Sequence, residues 1–251
     1  MFDETIKQLR EWLELREQVS SQRISAFQYL ANEGRAASPI ILKEDTFVEL
    51  GHPAAGSCSL CAATKDASLV TDGVLTIIGP DIPESQGRLL PFAQLILACC
   101  RDEIGETSLA MDRIVHSASQ FPGYMLRSVP DRIWARVSNN AARSGFSLKD
   151  LGARLYGALL RQCQEIIGVE IFFVTSSKSD IMDVEGIVQP VRQKLGKIQT
   201  YERLPDGSYE CTTGLDCTEC PEKTVCDNIR DVITIRKGDR VITFERNKDS
   251  D

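Results

Sequence analysis

Gly168 to Thr175 reads as a run dominated by apolar, β-branched and aromatic side chains. Such a run suits a strand buried on both faces, and a strand of that kind needs layers above and below it. A second apolar stretch, Leu89 to Cys100, makes the same demand. Helical spacing surrounds them: Leu109, Ile114 and Ala118 within residues 108–120, and Leu148, Leu151, Leu155, Leu159 and Leu160 within 147–163, where Ser147 is placed to cap. Phe47 to Leu50, the stretch from Cys58 to Thr64, Val74 to Ile78 and Arg132 to Val137 read as further strands, punctuated by Asp72-Gly73, Gly79-Pro80 and Gly87. Residues 179–196 read as a helix that must accommodate Pro190. The expected class is α/β, a mixed sheet with helices, with α+β as the alternative.

Three segments follow. Residues 1–34 place Phe2, Ile6, Leu9 and Leu13, then Ile24, Phe27 and Leu30, at helical spacing, so an amphipathic helix is expected, interrupted near Ser20 and Ser21 and closed by Gly34 and Pro39. It packs on its own domain or pairs the chain as a homodimer. Residues 35–200 form the α/β body. Residues 201–251 hold a polar connector, a cysteine cluster over 211–226, and a hairpin over 231–246 turning at Lys237-Gly238-Asp239. No apolar run reaches the roughly 18 residues of a membrane helix. The acidic start, with Asp3 and Glu4, does not read as a signal peptide, so the cytoplasm is expected.

The chain has nine cysteines, an odd number that a reducing compartment would not use as a disulfide framework. Cys211, Cys217, Cys220 and Cys226 form C-x5-C-x2-C-x5-C in a segment too polar to build its own core. Four soft ligands there point to a metal that organises the fold. A 4Fe–4S cluster fits four thiolates and a Cys-Pro pair at Cys220-Pro221, while zinc, the alternative, more often shows two C-x2-C knuckles. Residues 201–231 carry eight acids against three bases, and negative charge beside a cluster lowers its potential. Cys58, Cys61, Cys99, Cys100 and Cys163 read as buried thiols; the C-x2-C pair among them lies in strand context, where the two side chains point to opposite faces.

The formal charge of −7 argues against a nucleic-acid partner. Residues 123–161 reverse the sign, with Arg127, Arg132, Arg136, Arg143, Lys149, Arg154 and Arg161 against Asp131 and Asp150. That island suggests an anionic ligand, with Trp134 as a flat surface for a base, or arginines paired with acids elsewhere.

Several phrases occur together: Phe47-Val48-Glu49-Leu50-Gly51-His52-Pro53, Asp72 to Ile82, Gly123-Tyr124-Met125, Arg132 to Ser138, and Phe172 to Thr175. In this order they resemble acetyl-CoA synthase, the β-subunit of the carbon monoxide dehydrogenase/acetyl-CoA synthase complex of anaerobes, over about residues 46–176. The resemblance implies the α/β domain that precedes the family's nickel–iron–sulfur centre, and places Cys217, Cys220 and Cys226 where the cubane ligands begin. It implies a role near coenzyme A (CoA) for Arg132, Trp134 and Arg136, and for Arg127 beside them. The family's Cys-Gly-Cys nickel motif has no counterpart in these 251 residues, so a two-nickel centre is not expected of this polypeptide, and Cys211 becomes the candidate fourth thiolate of an ordinary cubane. Three functions follow: an iron–sulfur accessory or electron-transfer subunit of a CO dehydrogenase/acetyl-CoA synthase or corrinoid system in anaerobic one-carbon metabolism; a divergent or split CoA-binding acyl-transfer subunit; and a zinc-stapled interaction module.

Overall fold

The computed structural model describes residues 2–16, 20–23, 40–85, 89–101, 104–119, 122–129, 132–195, 201–203 and 209–211. Two units divide the chain near residue 192. In the first, a five-stranded mixed sheet is built from β1 (Ser20–Arg23), β3 (Ser57–Thr64), β4 (Val74–Ile78), β6 (Phe92–Cys100) and β9 (Ile166–Val174), in the spatial order β1-β4-β9-β6-β3. The run around Phe172 is the central strand, parallel to β4 on one side and antiparallel to β6 on the other. A second sheet joins β2 (Thr46–Leu50), β5 (Leu89–Leu90), β7 (Tyr124–Val129) and β8 (Arg132–Ser138) in the order β5-β2-β8-β7.

The pleat of the larger sheet sorts its side chains. Cys61 and Ala63, Leu75 and Ile77, Ile96 and Ala98, and Ile171 and Phe173 share one face, since register sets Cys61 opposite Ile96 and Ile96 opposite Ile171. That face meets α2 (Ile104–Ala118), α4 (Leu148–Gln162) and the inner side of the second sheet. Gly152 of α4 is required there: a Cβ would stand 2.9 Å from Leu75 and 3.3 Å from Phe173. The other face, marked by Glu170 of β9, lies toward α1 (Asp3–Glu14), which buries Ile6, Leu9 and Trp12 behind the buried N-cap residue Phe2. Helix α5 (Lys178–Leu195) buries Ile181, Val184, Val188 and Val191 at helical spacing and is tied to α1 by Arg16, which reaches Asp180 and Asp183. A short helix, α3 (Asn139–Arg143), follows β8.

Helix α4 starts where its sequence says it should. Ser147 accepts from the Asp150 amide and the Asp150 carboxylate accepts from the Ser147 amide, a reciprocal cap. Helix α5 continues through Pro190, whose side is exposed. At the N-terminus the helical expectation gives way: α1 ends at Glu14, and Ser20–Arg23 is a strand antiparallel to β4. Serine hydroxyls compete with helical backbone bonds, and the open edge of β4 offers those amides and carbonyls partners. Strand β7 was not anticipated. The second unit shows the hairpin β10 (Tyr201–Arg203) and β11 (Tyr209–Cys211). The expected hairpin over 231–246 lies outside the described residues.

Candidate functional site

The alternation of β8 sends Ile133, Ala135 and Val137 into the core and leaves 134, 136 and 138 on the outer face of the second sheet. Register places Arg127 opposite Trp134, Met125 opposite Arg136, and Glu49 opposite Arg136 on the other side. The four residues proposed for an anionic ligand therefore sit on two adjacent strands. Arg136 is already engaged: its Nε donates to Glu49 Oε1 at 2.6 Å and its Nη1 to the Ile41 carbonyl at 3.0 Å. The guanidinium also lies 4.6 Å from the Trp134 ring centroid. Glu49 and Arg136 thus clasp β2 to β8 and pin residues 40–42 across the sheet. The buried Trp134 Nε1 has no acceptor among the described residues. The side chains of Arg127 and Arg132 lie outside the described ones.

The remainder of the basic island is dispersed. Arg154 donates from Nε to the Ala118 carbonyl, tying α4 to the end of α2, and Lys149 and Arg161 are exposed elsewhere on α4. Arg143 stands at the end of α3 and makes no ion pair with a described residue. It lines a cleft of about 890 Å³ with Ile41, Asp45, Asn140, Gly145 and Phe146. No motif announced this cleft. At its wall Gly145 turns the chain at φ +84° between α3 and α4.

The phrases that carry the resemblance act as joints of the fold. At Gly51, φ is +70° and a Cβ would stand 2.2 Å from the Ile133 carbonyl oxygen. A Cβ on Gly79, at φ +106°, would meet the Ser176 amide at 2.4 Å. Thr175 donates from Oγ1 to the Pro80 carbonyl at 2.7 Å, which fastens the end of β9 to the turn after β4. Asp81 accepts at Oδ1 from the amides of Ile82, at 2.6 Å, and Leu148, at 2.7 Å, and so seats the start of α4. Burial pushes its carboxyl above the usual aspartate range, against those two bonds. The role of Asp81 was missed in the sequence, although Gly-Pro-Asp ahead of a helical turn is a capping signal.

Cys58, Cys61, Cys99, Cys100 and Cys163 are buried and outside any disulfide, as their apolar context predicts. Burial, and then Asp112, pushes the Cys61 thiol well up. No group of three or more His, Cys, Asp or Glu among the described residues is arranged to hold a metal. Of the four-cysteine cluster, Cys211 closes β11 opposite Tyr201; Cys217, Cys220 and Cys226 lie outside the described residues. No described helix is long and apolar enough to cross a membrane.

These features define a mixed-sheet α/β domain whose motif residues fix strand ends and helix starts. The family model of the CO dehydrogenase/acetyl-CoA synthase complex beta subunit matches residues 31–179, and the chain belongs to that family. It is 29% identical over 137 residues to an acetyl-CoA decarbonylase/synthase complex subunit beta from Methanopyrus kandleri, covering 53% of this chain and 29% of that protein. With the subunit beta from Methanothermobacter thermautotrophicus it shares 28% over 156 residues, 61% of this chain and 32% of the relative. The carbon monoxide dehydrogenase/acetyl-CoA synthase subunit alpha of Moorella thermoacetica is 28% identical over 149 residues, 57% of this chain and 20% of its own length. The chain thus spans about a third or less of the relatives it matches.

Proposed function

We propose that the chain is an iron–sulfur accessory or electron-transfer subunit that works with a CO dehydrogenase/acetyl-CoA synthase or corrinoid methyl-transfer system in anaerobic one-carbon metabolism. One observation carries the reading: the five body cysteines are spent in the core, while Cys211, Cys217, Cys220 and Cys226 lie together within sixteen residues. Four thiolates are the donor set of a 4Fe–4S cluster, which supplies one-electron chemistry when bound. The acids that flank these cysteines, among them Glu210, Asp216, Glu219 and Asp227, would disfavour an added electron and hold the potential low. The α/β body supports the partner reading through its family membership.

Anaerobically purified protein is expected to be brown, to absorb near roughly 400 nm and to contain about four irons with matching sulfide per chain. Colourless protein with one zinc would overturn this and favour the zinc-stapled interaction module, which chelators would unfold.

A second reading, a CoA-binding acyl-transfer subunit, is favoured by the Trp134 Nε1, which lacks an acceptor among the described residues, beside the strand position of Arg127. It rests on Arg127, Arg132 and Trp134, since the Arg136 guanidinium already has partners. Calorimetric titration with CoA tests it: binding in the wild type that is lost in Arg132→Glu supports it, and no heat in either removes it.

A further inference from the structure

The family match begins at residue 31, yet the body depends on residues before it. Strand β1 completes the edge of β4, from Ser20 opposite Ile77 to Arg23 opposite Val74. Helix α1, behind its N-cap residue Phe2, places Ile6, Leu9 and Trp12 against the body, and Asp3 accepts at Oδ1 from the Thr64 hydroxyl at 2.7 Å. The centre of this attachment is Arg10. Its Nε donates to the Leu69 carbonyl at 2.8 Å, and its Nη2 reaches the carboxylate of Glu170, which also accepts from the Thr71 amide at 2.6 Å. Glu170 is a charge in the middle of the central strand, its side chain 5% exposed. A carboxylate so placed must be either paired or hydrated. Arg10 pairs it only while α1 is docked.

We infer that α1 and β1 form a strap, latched by Arg10 on Glu170, that opens while the sheet beneath stays folded. The two elements are short. A twelve-residue helix is marginal without its tertiary contacts, and a four-residue edge strand has bonds on one side only. Opening lets water reach Glu170 and exposes the β4 edge. The latch therefore controls exposure of that edge. Its strength is set by one charge pair rather than by the apolar contacts alone, because an undocked helix hydrates the carboxylate and a docked helix without Arg10 strands it.

Hydrogen exchange followed by mass spectrometry on the full chain tests this, with wild type, Arg10→Met, Glu170→Gln and the double variant. In wild type, amides of 3–14 and 20–23 should exchange faster than those of β6 and β9. Arg10→Met should accelerate the strap by about 30-fold or more with the β6 and β9 amides unchanged, as expected for removing one partner of a buried pair that is partly open to solvent. The double variant should return to within a few-fold of wild type, since no charge is left stranded. The inference is overturned if strap and central strands exchange together in wild type, or if the double variant opens as far as Arg10→Met. The wild-type comparison decides even where a variant does not fold.

Discussion

Among the described residues two Arg–Glu pairs are partly buried, and they work differently. Glu49 and Arg136 face each other on adjacent strands, with side chains 11% and 19% exposed, inside the segment shared with the family. Glu170 and Arg10 join a central strand to a helix that precedes that segment, and Arg10 remains 28% exposed. The first pair is fixed by register: as long as β2 pairs β8, the two charges stand together. The second exists only while a separate element is docked. A cross-strand clasp thus belongs to the sheet, whereas a helix-to-strand latch can let go without unfolding what it covers.

Breaking the clasp is expected to have the largest effect. Arg136→Glu sets two carboxylates on adjacent strands and frees the Ile41 carbonyl, and should cost about 3 kcal/mol in urea denaturation. A loss below about 1 kcal/mol would place the pair among ordinary surface bridges. Next comes the joint that holds β2 to β8. Gly51→Ala should cost about 2 kcal/mol, from the left-handed backbone and the overlap with Ile133. Gly145→Ala is the control: φ is +84° there, but nothing lies within 4 Å of the added methyl, so it should cost about 1 kcal/mol less.

The smallest effect sharpens the comparison through pH. Burial, against the Thr71 amide and Arg10, raises the Glu170 carboxyl above its ordinary 4.5. The native chain then holds this proton more tightly than the unfolded chain does, so the group adds stability below pH 4.5 that disappears as pH rises through its raised value. Glu170→Gln removes that dependence. Wild type should gain modestly on the variant as pH falls from neutral toward 4.5, because the Arg10 contact offsets part of the burial. Equal pH profiles for both proteins would remove the charge from the latch.

The strands around Phe172 and Leu95, the helix at Leu148–Gln162 with its Ser147 cap, and the burial of five thiols were all readable, because each follows from local pattern. Ser20–Arg23 was not, since an edge strand without apolar alternation carries no period to detect. Arg136 illustrates the limit at the candidate site. Its charge was visible, but the carboxylate that claims it lies 87 positions away and comes into reach only through strand pairing. Glu170 is the reverse case: the run around it is so apolar that the one acid within it was passed over, although a charge there demands a partner.

The placement of β9 also dictates when the body can form. Its last residues, Phe173 and Val174, pair with Ile77 and Ile78 on one side, and Val174 with Ala93 on the other, so the middle of the sheet is supplied by its last strand in sequence. On a ribosome, β4 and β6 must wait, edges open, while residues 101–165 are made before either gains its central neighbour. Such long loop closures slow folding, and waiting apolar edges are where nascent chains associate. Synthesis of this domain should therefore lean on a holding chaperone until Val174 has left the exit tunnel, and chains cut short before β9 should aggregate rather than assume a smaller fold.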